Sequence, residues 1–116
     1  MLSTYFRNQI LDQFLRDGLY VSLHTKDPGA TGANELAGYE RAAVSGFGAA
    51  GEGFKASSAE IVLRELPACT VGFIGLWDAE KKGRFLMGGS LGTPKIMQSG
   101  DSLRFEPGKL GFAIEE

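Results

Sequence analysis

The sequence has little of the chemistry on which most enzymes and secreted domains depend. Its 116 residues include one cysteine, one histidine, one tryptophan and four prolines. A disulfide needs two thiols, so Cys69 cannot form one within the chain, and such cysteine usage is typical of a protein made in a reducing cytoplasm. A closed zinc site needs four ligands, more than His24 and Cys69 supply. We therefore expect no metal and no cofactor.

Charge and hydropathy exclude two further classes of protein. The chain has 12 Lys and Arg against 14 Asp and Glu, a net charge of −2, so it has no basic excess with which to neutralise phosphates. No apolar run approaches the roughly 20 residues that a membrane-spanning helix needs. The first residues also lack the basic start and apolar stretch of a signal peptide. We expect neither a nucleic-acid partner nor a membrane.

Glycine, in contrast, is abundant. The 17 glycines are about twice the number expected from an average usage near 7%. They are spread along the chain without a repeat, which is typical of many short elements joined by turns. At this length folding can bury roughly two thirds of the surface of the unfolded chain. We therefore predict one domain spanning residues 1–116.

The hydrophobic spacing predicts one helix, at residues 3–17. Its apolar residues recur with the period of a helix: Phe6, Ile10, Leu11, Phe14 and Leu15. Ser3 can cap the amino end and Gly18 can end the helix, while Asp12 and Arg16 have the spacing of an ion pair. This predicts that the aromatic side chains of the helix lie in the core.

From Leu19 the period changes to two residues, which predicts strands. The predicted strands are 19–24, 39–44, 59–65, 70–78, 84–91, 95–98, 102–105 and 109–115. Strand 70–78 is apolar on both faces and should be central, whereas Pro94 favours an edge position for the strand after it. If Trp77 is buried, its indole N–H must find a partner.

The pattern therefore predicts a mainly β fold, an antiparallel, jelly-roll-like β-sandwich of about eight strands over residues 19–115 with one N-terminal amphipathic helix. The predicted core residues are Phe6, Ile10, Phe14, Val21, Leu23, Phe73, Trp77 and Phe105.

Two motifs suggest activities that their context does not support. Residues 46–51 fit the G-x-G-x-x-G spacing of dinucleotide-binding loops, but no helix-forming segment follows, so we interpret 46–57 as a flexible loop. Ser22, His24 and Asp27 have the residue types of a hydrolase triad. Neighbours two apart on a strand stand side by side, about 7 Å apart, so a hydrogen-bonded structural histidine is favoured.

Candidate carboxylates for acid–base chemistry also lack a recognisable pairing. Glu60, Glu65, Asp78 and Asp101 all fall at predicted strand ends or turns, where solvated acids are common. We therefore predict that the protein is not an enzyme.

Several segments together resemble a family of small bacteriophage tail-fibre-like virion proteins. They are LYVSLHTKDPGATGANEL at 19–36, GYERAAV at 38–44, GLWDA at 75–79, GGSL at 88–91, TPK at 93–95 and SGDSLRF at 99–105. The resemblance runs in order along nearly the whole chain. The charged hairpin segment Glu80-Lys81-Lys82 departs from the small polar loop expected there.

The resemblance implies a structural component of a phage virion, tail or tail-fibre associated, that is assembled in the bacterial host cytoplasm. Expected partners are other virion proteins and copies of the same chain, with a trimer assumed by analogy with threefold virion parts. Two loops, 25–38 and 46–57, are the expected contact surfaces. The candidate interface residues in them are Asp27, Pro28, Asn34, Glu35, Phe47, Phe54 and Lys55.

Two alternatives stay open at this level. The same kind of domain could decorate the capsid of the head as a cement protein, because fold does not choose between head and tail. It could also be a receptor- or carbohydrate-binding module, in which Tyr20, Tyr39, Trp77 and Asp78 would contact a sugar. Most of those aromatic side chains lie in predicted strands, where a core position is the simpler interpretation.

Overall fold

The computed structural model describes residues 2–15, 18–52 and 54–113, and it confirms the predicted fold class: mainly β, with antiparallel sheets and one short N-terminal helix. The elements in chain order are α1 Thr4–Phe14, β1 Tyr20–His24, β2 Ala42–Ala43, β3 Phe54–Ala56, β4 Ile61–Leu66, β5 Cys69–Trp77, β6 Phe85–Met97, β7 Asp101–Phe105 and β8 Gly111–Ala113. The sheets have the strand orders β2-β1-β5-β6, β3-β8 and β4-β7.

The chain divides into two compact units. The first unit comprises Met1–Gly18, Val44–Ile61 and Phe105–Glu116, and the second unit comprises Leu19–Ala43 and Val62–Arg104. That the whole chain forms a single domain stays a prediction. No helix in the described part of the chain is long and apolar enough to cross a membrane.

The four-stranded sheet forms the centre of the second unit. Strand β5 lies between β1 and β6, which confirms that the doubly apolar strand is central. Its antiparallel register with β1 sets Ser22 opposite Gly75 and His24 opposite Phe73. Val21, Leu23, Val71 and Leu76 are completely buried, and Trp77 is buried at the end of the strand, while Phe73 is only half-buried.

Strand β6 is one continuous strand where the sequence predicted two, 84–91 and 95–98. Ser90 pairs with Phe73 and Lys95 with Val71, so residues 91–94 form a bulge opposite a single residue of β5. Gly92 turns the bulge with a φ of 83°, and its amide donates to Ser90 Oγ at 3.0 Å. Pro94 lies in this bulge on an edge strand, where no ladder partner requires its missing N–H.

The first unit is built from α1 and the β3–β8 pair. Phe6 N donates to Ser3 Oγ at 3.1 Å, which confirms Ser3 as the helix cap. Strand β3 lies within residues 46–57, which were predicted to be a loop. Its three residues are too few to show a period of two, and the charged Lys55 at its centre does not indicate a buried strand position. Arg16, the predicted ion-pair partner of Asp12, and residues 114–115 of the last predicted strand lie outside the described residues.

The predicted core is corrected on the helix. Phe6 is 52% exposed and Phe14 63% exposed, and Ile10 is half-buried. The helix buries only Leu11, together with Leu15 at its end. The apolar residues of α1 spread over too much of its circumference for one packed face to cover them all, because each residue advances by about 100°. Phe105, the remaining predicted core residue, is half-buried.

Candidate functional site

The first predicted contact loop, Thr25–Gly38, is tightly held by backbone hydrogen bonds. Thr25 N donates to Asn34 O at 3.2 Å, and Leu36 N donates to Leu23 O at 2.9 Å. Within the loop, the amides of residues 32 and 33 both donate to Pro28 O at 3.0 Å. These hydrogen bonds give the loop a defined conformation within the second unit.

The four predicted interface residues of this loop divide into two pairs. Asp27 and Asn34 are exposed, and they bond to the loop itself: Asp27 Oδ1 accepts from Gly29 N at 2.7 Å, and Asn34 Nδ2 donates to Asp27 O at 3.1 Å. Pro28 is buried and Glu35 is half-buried. Asp27 and Asn34 are thus the two of these four residues that the structure leaves exposed.

Glu35 is occupied by an internal ion pair with Arg41. Arg41 Nε and Nη2 donate to the two oxygens of Glu35 at 2.8 Å each, a bidentate arrangement that fixes both side chains. Tyr39 Oη donates to the same carboxylate and accepts from Leu23 N at 2.9 Å. Burial alone would raise the pKa of Glu35, but the hydrogen bonds from Arg41 and Tyr39 hold that pKa below its ordinary value.

Arg41 also joins this cluster to the turn between β5 and β6. Its Nη1 donates to Ala79 O at 3.0 Å and to Lys82 O at 2.7 Å. Its guanidinium carbon lies 3.9 Å from the centre of the Trp77 ring, a cation–π contact. One side chain therefore fastens the loop, the turn and the tryptophan together.

A continuous chain of hydrogen bonds runs through the buried side chains of β1 and β5. Trp77 Nε1 donates to Ser22 Oγ at 2.8 Å, which supplies the indole partner that burial requires. Ser22 Oγ lies 2.7 Å from His24 Nε2, and His24 Nδ1 lies 2.7 Å from Ala33 O. Since a carbonyl only accepts, Nδ1 carries the proton and Nε2 accepts from the Ser22 hydroxyl.

The expectation that Ser22 and His24 stand apart without contact is wrong. Their side chains lean together across the gap between positions two apart on β1. The pair is nevertheless structural, because both residues are completely buried and the second ring nitrogen is held by a backbone carbonyl. Asp27, the third member considered from sequence, bonds to its own turn instead.

Gly75 makes room for this chain. A methyl group at Gly75 would lie 2.5 Å from Ser22 Oγ, 2.7 Å from His24 Nε2 and 2.9 Å from the Phe85 ring. The Phe85 ring meets both His24 and Trp77 edge-on, with ring centres 6.3 Å and 5.3 Å apart. The sequence signal for the site was therefore the glycine opposite Ser22, together with the lone tryptophan two residues later.

The second predicted contact loop belongs to the first unit. Phe47 is half-buried and packs edge-on against Phe112, with ring centres 6.2 Å apart. Phe54 is 48% exposed, and part of its ring lies over Gly111, where a Cβ would clash with it. Lys55 is buried, with its Nζ 5.7 Å from the centre of the Phe47 ring.

Lys55 pairs with the helix. Its Nζ donates to Asp12 Oδ1 at 2.9 Å, and Ala50 N donates to the same oxygen at 3.1 Å. The hydrogen bond from Lys55 is the main cause that lowers the pKa of the Asp12 carboxyl. Lys55 therefore holds the first unit together and is not free for a partner.

The helix carries exposed aromatic residues, including Phe6 and Phe14, for which the helical period predicted core positions. Tyr5 is 73% exposed, and Phe6 and Phe14 are also largely exposed. Leu2 and Phe54 of the first unit are exposed as well. We call the three aromatic residues of the helix, Tyr5, Phe6 and Phe14, the helix-side aromatic set. Scattered exposed apolar residues are ordinary, but three exposed aromatic side chains on one short helix make this helix a candidate contact surface.

An open groove of about 720 Å³ runs along the second unit, lined by Gly38–Arg41, Val62, Arg64, Glu65 and Lys81. Its charged side chains are of both signs. Among the described residues, no group of three or more His, Cys, Asp or Glu side chains is arranged to hold a metal ion. Of the four residues considered for sugar contact, Trp77 is buried, Tyr39 bonds to Glu35, Asp78 pairs with Arg84 at 2.8 Å, and Tyr20 is half-buried.

Comparison with known families identifies the chain. The family described as podophage GP4 fiber I protein gp80 matches residues 1–113. The chain belongs to this family of phage fiber proteins. The resemblance to small tail-fibre-like virion proteins is thereby confirmed, and membership in the fiber family is consistent with a structural role in the phage particle. Comparison with curated proteins finds no match.

Proposed function

We propose that this protein is a tail-fibre component of a phage virion and that it works by contacts with copies of itself and with other virion proteins. The observation that carries the proposal is the helix-side aromatic set in a member of a phage fiber family. Burying aromatic side chains against a neighbouring subunit releases the free energy of apolar burial, about 25 cal/mol for each Å² removed from water.

The outward residues of α1 suit a protein partner. Tyr5, Phe6, Gln9 and Gln13 are exposed and uncharged, and the exposed carboxylate of the helix, Asp12, is paired with Lys55, which limits repulsion between two copies. Aromatic residues are enriched and charges depleted at the centres of protein interfaces. Asp27 and Asn34, exposed on the second unit, are further candidate contacts.

The test is self-association of the full chain, measured by sedimentation velocity over a range of concentrations. We expect an oligomer, with a trimer as the first stoichiometry to fit, and we expect the double variant Tyr5→Ser, Phe6→Ser to sediment as a monomer. The matched control is Ile96→Ser, which removes an apolar side chain from the second unit that is 78% exposed, more than either helix residue. A wild-type chain that stays monomeric at every concentration would contradict self-contact.

The particle supplies the second half of the test. Mass spectrometry of purified virions should detect this chain, and virions made with the double variant should contain less of it than virions made with the Ile96→Ser control. Equal incorporation of both variants would remove the helix from the proposed interface, and a particle without the chain would remove the proposal itself.

A further inference from the structure

The second unit contains an element that its structural role leaves unexplained: the only histidine of the chain is bonded, through one serine, to its only tryptophan. We propose that the hydrogen-bonded series Trp77–Ser22–His24–Ala33 is a proton-sensitive switch. It keeps the β1–β5 strand pair closed at neutral pH and loosens that pair in mild acid.

The hydrogen bonds fix where each proton must be. His24 Nδ1–H donates to Ala33 O, so Nε2 can only accept, and the Ser22 hydroxyl must donate to it. Trp77 Nε1–H in turn occupies the Ser22 oxygen as a donor. Every donor and acceptor in this hydrogen-bonded series has a partner only while His24 is neutral.

A second proton on His24 breaks this arrangement. Nε2 then becomes a donor facing Ser22, and the hydroxyl proton loses its acceptor. Both side chains are 0% exposed, so water cannot replace the lost partner without the strands moving apart. The Ala33 bond survives protonation, because Nδ1 carries its proton in both states.

The Ala33 carbonyl that accepts from Nδ1 favours the charged imidazole, but this compensation is smaller than the opposing effect of burial. The imidazole meets the Phe85 ring of β6 directly and is linked to Trp77 of β5 through Ser22, and neither aromatic side chain titrates. The charged groups near it are Glu35 and Arg41, which are already paired with each other and act on it in opposite directions. Burial is the largest influence and lowers the pKa of His24 below its ordinary value of 6.5.

The sign of the pH effect follows. The unfolded chain takes up the proton near the ordinary value, whereas the folded chain does so at lower pH, so acid favours unfolding. The stability that the switch contributes is complete above pH 6.5 and is lost as the pH falls from there toward the lowered pKa of the folded protein.

Because His24 is the only histidine, the two carbon-bound protons of its ring report the only imidazole titration in the NMR spectrum of the full chain. We expect a pKa below 6.5 in the wild type and a shift back toward that value in Ser22→Ala, where the neutral imidazole loses its donor. Tyr20→Phe, on the same strand and outside the hydrogen-bonded chain, is the control that should leave the titration unchanged. A wild-type value at or above 6.5, or no response to Ser22→Ala, would overturn the proposal.

Trp77 reports the consequence. We expect its fluorescence to show a lower urea midpoint at about pH 5 than at about pH 7.5 in the wild type, and equal midpoints in His24→Gln, which cannot titrate. Hydrogen exchange in acid should quicken at Ser22 and Gly75 before it quickens in the loop that Ala33 anchors. Midpoints independent of pH in the wild type, or an unchanged pH dependence in His24→Gln, would refute the switch.

Discussion

The two units differ in how they use their polar and aromatic side chains. In the second unit, Arg41, Trp77 and His24 are bonded inward, and even the loop that sequence marked for contact is tied back onto the sheet. In the first unit, most of the large aromatic residues of the helix face outward. The second unit also exposes Leu86 and Ile96, but its polar network is bonded inward, whereas the three aromatic side chains of the helix are exposed. Under the proposed function, this difference divides the chain into a scaffold and a contact surface.

The largest expected effect tests how closely the second unit is packed. Gly75→Ala forces a methyl group against Ser22 and His24, and it should lower the free energy of unfolding by about 3 kcal/mol. The control is Gly89→Ala on β6, where a Cβ meets nothing within 4 Å. Urea unfolding followed by Trp77 fluorescence measures both, and equal stability of the two variants would refute the close-packed network.

The next effect tests the ion pair that fastens the loop. Arg41→Gln leaves the half-buried Glu35 without its counter-charge and frees two carbonyls, which should cost about 2 kcal/mol of unfolding free energy. Arg84→Gln, which removes the largely exposed partner of Asp78, should change the urea midpoint little. If both substitutions cost the same, Arg41 is an ordinary surface charge.

These two sites also mark how far the sequence could predict the fold. Period-two alternation identified β1 and β5, and the double apolar face identified β5 as central, because burial patterns are local properties of a strand. The Ser22–His24 contact and the Arg41 bonds depend on register and on a long loop returning to the sheet, which local spacing does not encode. Strand β3 was missed because three residues carry no measurable period.

The helix shows a further limit of prediction from local spacing. Periodicity correctly predicted that α1 forms and that Ser3 caps it. It could not select which apolar side chains face the interior, because Phe6, Leu11 and Phe14 all satisfy a helical spacing. Under the proposed function, a neighbouring subunit buries these apolar residues, and the sequence of one chain does not show that neighbour.

A smaller effect is expected at the pair that holds the first unit. Asp12→Asn leaves the buried Lys55 ammonium facing a neutral amide, so the urea midpoint should fall, though less than in Arg41→Gln because Asp12 is half-exposed. Since the pKa of Asp12 is lowered, the pair stabilises the fold above the ordinary value of 3.8 and loses its effect as the pH falls below it. The control is Glu80→Gln, which removes an exposed acid of the second unit. A urea midpoint in Asp12→Asn as high as that in Glu80→Gln would contradict the role of the pair.

The smallest expected effect on folding is at the proposed contact surface. Phe6→Ser should lower the free energy of unfolding by no more than about 1 kcal/mol, because half of the side chain is already exposed in the isolated chain. Leu11→Ala, five residues further along the helix and 2% exposed, should cost about 3 kcal/mol. A large loss in Phe6→Ser would mean that this aromatic residue supports the fold and is not held for a partner.

The division into scaffold and contact surface is tested most directly by hydroxyl-radical footprinting of the isolated chain and of the assembled virion. We predict that Tyr5, Phe6 and Phe14 are labelled in the isolated chain and protected in the virion, while Trp77 is labelled in neither. Equal labelling of the three helix residues in both samples would contradict the account.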